Sequence, residues 1–200
     1  VPIQCIWPDG IFRVGIKFSK TYRFTDINYK VASREDKETM FLTYSELLNS
    51  LDCAATTKLT ICNRRQSQAD FEQSVLMPMR EDGLDKYRRE YNQMLMDKAT
   101  GANGITQEKY ITITVYKRDI EDARAYFTRV GADLTARFAA LGAKCVELDA
   151  TDRLRILHDF YRAGDEGSFR FDMADMARKG HDFKDYICPD GIEKHSDYLK

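Results

Sequence analysis

The sequence contains no uninterrupted apolar stretch approaching the ~18 residues that a transmembrane helix needs. It also has no excess of either charge, because 31 basic and 32 acidic residues leave a net charge of −1. A near-neutral chain does not provide the broad positive field that non-specific nucleic-acid binding requires. These two absences argue against a membrane-spanning protein and against a non-specific nucleic-acid binder, and we expect a soluble protein.

Cysteine pairs are missing as well. The five cysteines are odd in number and scattered, and no C-x-x-C motif occurs. A disulfide framework is therefore not expected, and a reducing, cytoplasmic compartment is favoured. A catalytic cysteine would need a base close in space. Cys62 and Cys145 instead fall inside strand-like segments, which predicts buried, inert thiols.

The sequence also lacks a phosphate-binding loop. The Walker pattern G-x-x-x-x-G-K-[ST] surrounds phosphates with backbone amides and a lysine. The glycines of "GANGITQEK" (101–109) are not followed by GK[ST]. In "AGDEGSFR" (163–170), Asp165 and Glu166 would repel phosphate. We therefore expect no ATP binding by these 200 residues.

Histidine is scarce, with only three in the chain. "HDF" occurs at His158 and again at His181, and His195 follows near the end. A metal-dependent phosphohydrolase remains an alternative, although such sites need further histidines and aspartates. The expected role of His158 is structural, in the last turn of a helix. We predict no catalytic, cofactor-binding or metal-ligating residues in this chain.

Strand signals are clear in several places. Apolar and other residues alternate strictly after the turn "WPDG" (7–10), which predicts one strand. One face of this strand would carry Phe12, Val14, Ile16 and Phe18. A second strand is expected to contain Tyr22 and Phe24. Further strands are predicted at "TKLTICN" (57–63), "KYITITVYK" (109–117) and "KCVEL" (144–148).

Helix signals separate these strands. Ser33 is expected to cap a helix that runs to about residue 52, and Asp119 to cap the longest helix, which Gly142 closes. "DATDRLRILHDFYR" (149–162) predicts one more helix. The helix after Gly83 has an apolar stripe of Leu84, Tyr87, Tyr91, Met94 and Leu95. Its outer, charged face is predicted to comprise Asp85, Arg88, Arg89 and Glu90.

The strongest elements follow one another as strand, helix, strand, then strand, helix, strand. This order predicts an α+β fold with a ferredoxin-like, split βαβ sheet and both main helices on one side. The Leu84 helix would be an insertion, and the Leu154 helix a C-terminal addition. We predict an interaction domain over residues 1–163 and a connecting segment over 164–200.

Aromatic residues suggest two kinds of surface. Tyr110 and Tyr116 share one face of a predicted strand, between Lys109 and Lys117. A single-stranded nucleic-acid-binding module of RNA-recognition-like fold therefore remains an alternative, although the pattern K/R-G-F/Y-G/A-F-V-x-F/Y is not matched. "RREYNQMLM" (88–96) combines arginine, tyrosine and methionine, which favour protein interfaces. The same residues also fill gaps in cores.

Three long stretches carry a family resemblance: "NYKVASREDKETMFLTYSELLNSLD" (28–52), "QSVLMPMREDGLDKYRREYNQMLMDKATGANGITQEKYITITV" (73–115) and "LHDFYRAG…GHDFKDYICPD" (157–190). They resemble the amino-terminal region of TrbE/CagE-like conjugative-transfer ATPases of type IV secretion systems. The form that they resemble is carried by integrative elements of Gram-positive bacteria. The resemblance extends from about residue 10 to about residue 190.

The resemblance implies a role in scaffolding. Members of this family carry a RecA-like motor with Walker motifs, where ATP and Mg²⁺ are expected, in their carboxy-terminal half. The amino-terminal region docks that motor to inner-membrane channel proteins and to neighbouring subunits. For this chain we therefore expect a non-catalytic domain without its own cofactor, at the cytoplasmic face of the membrane, that contacts no nucleic acid directly. Its last twenty residues resemble a stretch that continues into further protein.

Overall fold

The computed structural model describes residues 1–27, 29, 32–65, 76–101, 105–188, 191 and 196. These residues form a mixed α+β fold, which confirms the predicted fold class. The strands are β1 (Cys5–Ile6), β2 (Phe12–Val14), β3 (Lys17–Phe24), β4 (Thr56–Arg65), β5 (Ile105–Tyr116) and β6 (Cys145–Glu147). The helices are α1 (Arg34–Asn49), α2 (Asp85–Gly101), α3 (Ile120–Ala140), α4 (Ala150–Tyr161) and α5 (Met173–Lys179).

The strands form one sheet in the order β1-β2-β3-β5-β4, and β6 also pairs with β3. β3 lies antiparallel to β2, to β5 and to β6. β2 and β6 share one edge of β3, where β2 pairs near Phe18 and β6 pairs near Arg23. The order is compatible with a split βαβ sheet extended by a hairpin, and the ferredoxin-like detail stays a prediction.

The predicted single strand over residues 12–18 is wrong, because the chain reverses direction in its middle. Val14 pairs with Lys17, which leaves Gly15 and Ile16 as a two-residue hairpin turn. Gly15 has a φ of +60°, and a positive φ at the first central residue is the arrangement of a type II′ turn. Ile16 is therefore exposed, while Phe18 enters the core. Tyr22 and Phe24 belong to the same strand as Phe18.

The predicted helix starts are confirmed. The side chain of Ser33 accepts a hydrogen bond from the backbone N–H of Asp36, and Asp119 accepts one from Asp122. Such bonds satisfy amide groups that have no partner within the helix. Within the described residues, no helix combines the length and the apolar character needed to cross a membrane.

The chain divides into two compact units, residues 1–60 with 109–200 and residues 61–108. In the first unit, the main core lies between the sheet and two helices, α1 and α3, which therefore cover the same sheet face. Leu47 of α1 and Leu134 of α3 are fully buried there with Tyr22, Ile111 and Ile113. Leu134 lies seven residues after Phe127, which is also in this core, so the buried residues of α3 form a packed stripe.

A second core of the first unit surrounds α4. Its buried members are Ile3, Phe12, Ala150, Leu154, Phe169, Phe183 and Ile187. Three of these residues come from the predicted connecting segment. The boundary at residue 163 stays a prediction, and the structure adds that part of the segment after it is buried in this cluster.

The second unit consists of the end of β4, helix α2 and the start of β5. Among its described side chains, only Asn92 is buried. The amide of Asn92 accepts a hydrogen bond from the backbone N–H of Met77 and donates one to the carbonyl of Met77, both at 2.9 Å. A polar contact thus fixes α2 to the loop that precedes it.

Candidate interaction surfaces

His158 lies fully buried in the last turn of α4. Its Nδ1 is 3.4 Å from Asp159 Oδ1, and its Nε2 is 3.4 Å from Ser168 Oγ. The order Ser–His–Asp is that of a hydrolytic triad. This group could not be recognised in the sequence, because Ser168 lies in a separate 3₁₀ turn and no short motif joins it to the histidine.

The geometry of this group favours a structural link. The hydroxyl of Ser168 donates to the carbonyl of Asp165 at 3.0 Å, so its proton is directed away from His158. Both distances to the imidazole exceed the ~2.6–3.2 Å of a nucleophile and its base. The ring of Phe169 covers the imidazole, with centroids 5.1 Å apart. The histidine therefore ties α4 to the turn that follows it.

The other predicted metal and thiol candidates are dispersed. His181 lies near Asp185, with Nδ1 3.6 Å from Oδ2, and His195 is outside the described residues. In the described part of the chain, no group of three or more His, Cys, Asp or Glu side chains could hold a metal ion. Cys145 is buried in β6, and burial, followed by the charge of Glu147, raises the pKa of its thiol to about 11. This thiol is therefore protonated at neutral pH.

The two tyrosines on which the nucleic-acid-binding alternative depends are not both exposed. Tyr110 is 5% exposed whereas Tyr116 is 56% exposed, so only one ring is available to a base. Lys17 Nζ lies 5.2 Å from the centroid of the Tyr116 ring. Of the two flanking lysines, Lys109 pairs with Asp26, and Lys117 lies over the ring of Tyr126. These lysines therefore have partners within the protein.

Arg153 is a buried charge that no local sequence pattern marks. Its guanidinium donates to the carbonyls of Gly10 and Ser19, both at 2.7 Å, and to the hydroxyl of Ser19 at 3.1 Å. It also lies 3.9 Å above the ring centroid of Phe12. Burial lowers the pKa of this guanidinium. Its donors are used within the fold, so Arg153 connects α4 to the β2–β3 hairpin and does not provide a ligand site.

Helix α1 presents an apolar outer surface, which we call the α1 face and define as Phe41, Leu42 and Leu48. Phe41 is 67% exposed and Leu42 is 61% exposed, although Leu47 on the opposite side is fully buried. An amphipathic helix normally turns its polar side to water. The α1 face is therefore an apolar surface on a helix that the core already holds in place.

Helix α2 has its polar side turned toward its own unit. Arg88 donates to Asp82 Oδ1 at 2.5 Å and to Asp85 Oδ1 at 2.7 Å. Asp85 in turn accepts from the backbone N–H groups of Arg80 and Glu81. The prediction that Asp85 and Arg88 belong to the outer face is therefore wrong, because these charges stabilise the loop before the helix.

The apolar side of α2 is exposed instead. We call this surface the α2 stripe and define it as Leu84, Tyr87, Tyr91 and Met94. Their exposed fractions range from 42% for Met94 to 66% for Tyr87. Four of the five members of the predicted stripe are therefore exposed and do not fill a core, while the fifth, Leu95, is half-buried. Tyrosine and methionine are enriched in protein interfaces.

No protein-family model matches the sequence, and no curated protein matches it.

Proposed function

We propose that this chain is a non-catalytic docking domain of a conjugative-transfer ATPase of a type IV secretion system. The resemblance described above motivates the proposal. In the parent protein, a downstream motor would bind ATP and Mg²⁺, and this domain would hold that motor to channel proteins at the cytoplasmic face of the membrane. Its mechanism is coupling, in which conformational changes of the motor reach the channel through a rigid sheet-and-helix unit.

The observation that supports docking most directly is the α1 face. Phe41 and Leu42 remain largely exposed on a helix whose opposite side is anchored by Leu47. Burying one such side chain at an interface stabilises a complex by roughly 1.5–3 kcal/mol. Because the helix is already held by the core, little ordering cost accompanies binding. The α1 face therefore has the chemistry of an anchor for an apolar surface on a channel protein.

The test uses the full parent ATPase in a donor strain. Phe41→Glu places a charge in the α1 face, and we expect DNA transfer to fall at least about tenfold, as for loss of one interface hot spot. Less of the variant should also co-purify with the inner-membrane channel proteins. The matched control is Glu35→Gln, an exposed side chain in the first turn of α1 about 9 Å along the helix from Phe41, which should leave both readouts unchanged.

Two results would contradict the proposal. One is normal transfer and normal channel association by a folded Phe41→Glu protein, with folding checked by circular dichroism. The other is catalysis by the isolated chain. Labelling of Ser168 by a fluorophosphonate, lost in His158→Ala, would show that the buried Ser–His–Asp group is reactive.

A further inference from the structure

The charges beside the α2 stripe are placed unfavourably for their own helix. Lys86 is exposed in the first turn of α2, and Asp97 is exposed in its last turns. The amino-terminal end of a helix is partially positive and its carboxy-terminal end is partially negative. Lys86 is therefore repelled by the end at which it lies, and Asp97, which accepts a hydrogen bond from Gln93 of its own helix, lies toward the end that repels it. Both charges would be favourable beside an antiparallel neighbour, whose opposite ends face them.

We propose that the α2 stripe binds the α2 stripe of a second copy of this chain, with the two helices antiparallel. A two-fold axis beside Tyr91 places Met94 between Tyr87 and Tyr91 of the second copy. Lys86 then faces Asp97 of the second copy, and the symmetry repeats this pair at the other end. The same surface is thus complementary to itself, as a two-fold interface requires.

Charge complementarity favours a second copy and sets the direction. Glu90 and Gln93 lie on the same flank as Lys86 and Asp97. In the register that pairs Lys86 with Asp97, Glu90 is level with Gln93 of the second copy, so no flanking charge is level with a like charge. A parallel pair would bring the two copies of each flanking charge to the same level and align both helix dipoles in the same direction.

The size of the stripe sets the expected strength. Four side chains over about three helical turns bury less than the roughly 1,200 Å² of a standard interface. We therefore expect a reversible dimer with a dissociation constant in the micromolar range. This pairing does not depend on the docking function, because the α1 face lies on a different helix.

The first experiment measures the mass of the complete 200-residue chain by sedimentation equilibrium. From about 1 μM to about 500 μM, the weight-average mass should rise from monomer toward dimer. Tyr91→Lys, at the centre of the stripe, should raise the dissociation constant at least about tenfold. Arg89→Gln, an exposed change outside the stripe, should leave it unchanged. If Tyr91→Lys does not fold, Tyr87→Lys replaces it.

The second experiment tests direction through charge exchange. Lys86→Asp and Asp97→Lys should each weaken the dimer about threefold or more, and the double variant should restore it. The two positions are about 16 Å apart along one helix, so restoration cannot arise within a single copy.

Three outcomes would overturn the pairing. The first is a chain that stays monomeric at about 500 μM. The second is a dimer whose dissociation constant does not change on substitution of Tyr91. The third is a double charge variant whose dimer is as weak as those of the single variants. If the chain is monomeric and Tyr91→Lys lowers its stability, the stripe packs within its own chain.

Discussion

Arg88 holds two carboxylates at the start of α2, and its contacts make the stability of that helix sensitive to acid. Hydrogen bonds from Arg88 lower the pKa of Asp82 from 3.8 to about 2. The pKa of Asp85 is lowered first by the backbone N–H of Arg80 and then by Arg88. Because these values lie below those of the unfolded chain, the carboxylates contribute stability above about pH 4 and lose it as the pH falls toward 2.

We therefore expect the carboxyl resonance of Asp82 to titrate with a midpoint near pH 2 in the wild-type chain. In Arg88→Gln the guanidinium is absent, so the midpoint should move up toward 3.8, although the backbone N–H of Leu84 still donates to Asp82 and keeps the pKa below that value. Carbon-detected NMR across this pH range measures both. Equal midpoints in the two proteins would show that Arg88 is not the cause of the shift.

Some individual residues could be assigned from the sequence and others could not. Ser33 and Asp119 were predictable as caps because capping depends on residues three positions away. Arg153 and the Ser168–His158 contact were not predictable, because their partners are distant in the chain and no local pattern marks them. Folding alone brings Arg153 to the carbonyls of Gly10 and Ser19.

Helix α3 comes close to the sheet at Gly131, a glycine in the helix interior. A Cβ atom built on Gly131 would lie 2.3 Å from Glu147 Oε1 and 3.1 Å from the ring of Tyr22. Glu147 is itself engaged by Lys20, whose Nζ is 2.5 Å from Oε2. Tyr22 donates to the carbonyl of Phe127, and burial raises the pKa of its hydroxyl. A larger residue at 131 would therefore disturb two groups. One is the Glu147 carboxylate, which pairs with Lys20, and the other is the buried ring of Tyr22.

Gly131→Ala should destabilise the chain by about 1–3 kcal/mol through overpacking. Helix propensity alone predicts the opposite sign, since alanine in a helix interior is favoured over glycine by about 1 kcal/mol. Urea unfolding of the two proteins measures the difference. An unchanged or more stable variant would show that the contact with Glu147 relaxes without cost.

Among the elements, β5 and α3 were predicted well because each has an uninterrupted period that matches its burial. The β2–β3 hairpin was missed, since Gly15 fits the alternation and also supplies the positive φ that the turn requires. The orientation of α2 was missed for a different reason. Its stripe has the spacing of a core helix, but its polar residues Arg88 and Asn92 have the closer partners.

The two units of the molecule differ in what holds them together. The first unit contains two clusters of buried apolar side chains. Among the described side chains of the second unit, Asn92 alone is buried, and hydrogen bonds and ion pairs fix α2 to the loop before it. Regions with few buried apolar contacts open locally at low free-energy cost. The second unit should therefore open without global unfolding.

Hydrogen exchange measured by mass spectrometry tests this difference. At low micromolar concentration, the amides of α2 should exchange at least about 100-fold faster than those of α3. The fold class did not indicate this contrast, because both helices have clear periodic patterns in the sequence. Equal protection of α2 and α3 in the dilute chain would contradict the expectation.

Strands β4 and β5 are neighbours in the sheet, and the second unit comprises the end of β4, the start of β5 and the chain between them. The polypeptide thus leaves the first unit and returns to it through adjacent strands. A chain segment whose two ends lie side by side can lengthen or shorten at small entropic cost, because loop-closure entropy changes slowly with length. The pairing of β3 with β5 over Lys17–Phe24 would persist through such changes. The second unit is therefore where evolution can vary the length of this protein most freely, and where an optical reporter can be grafted.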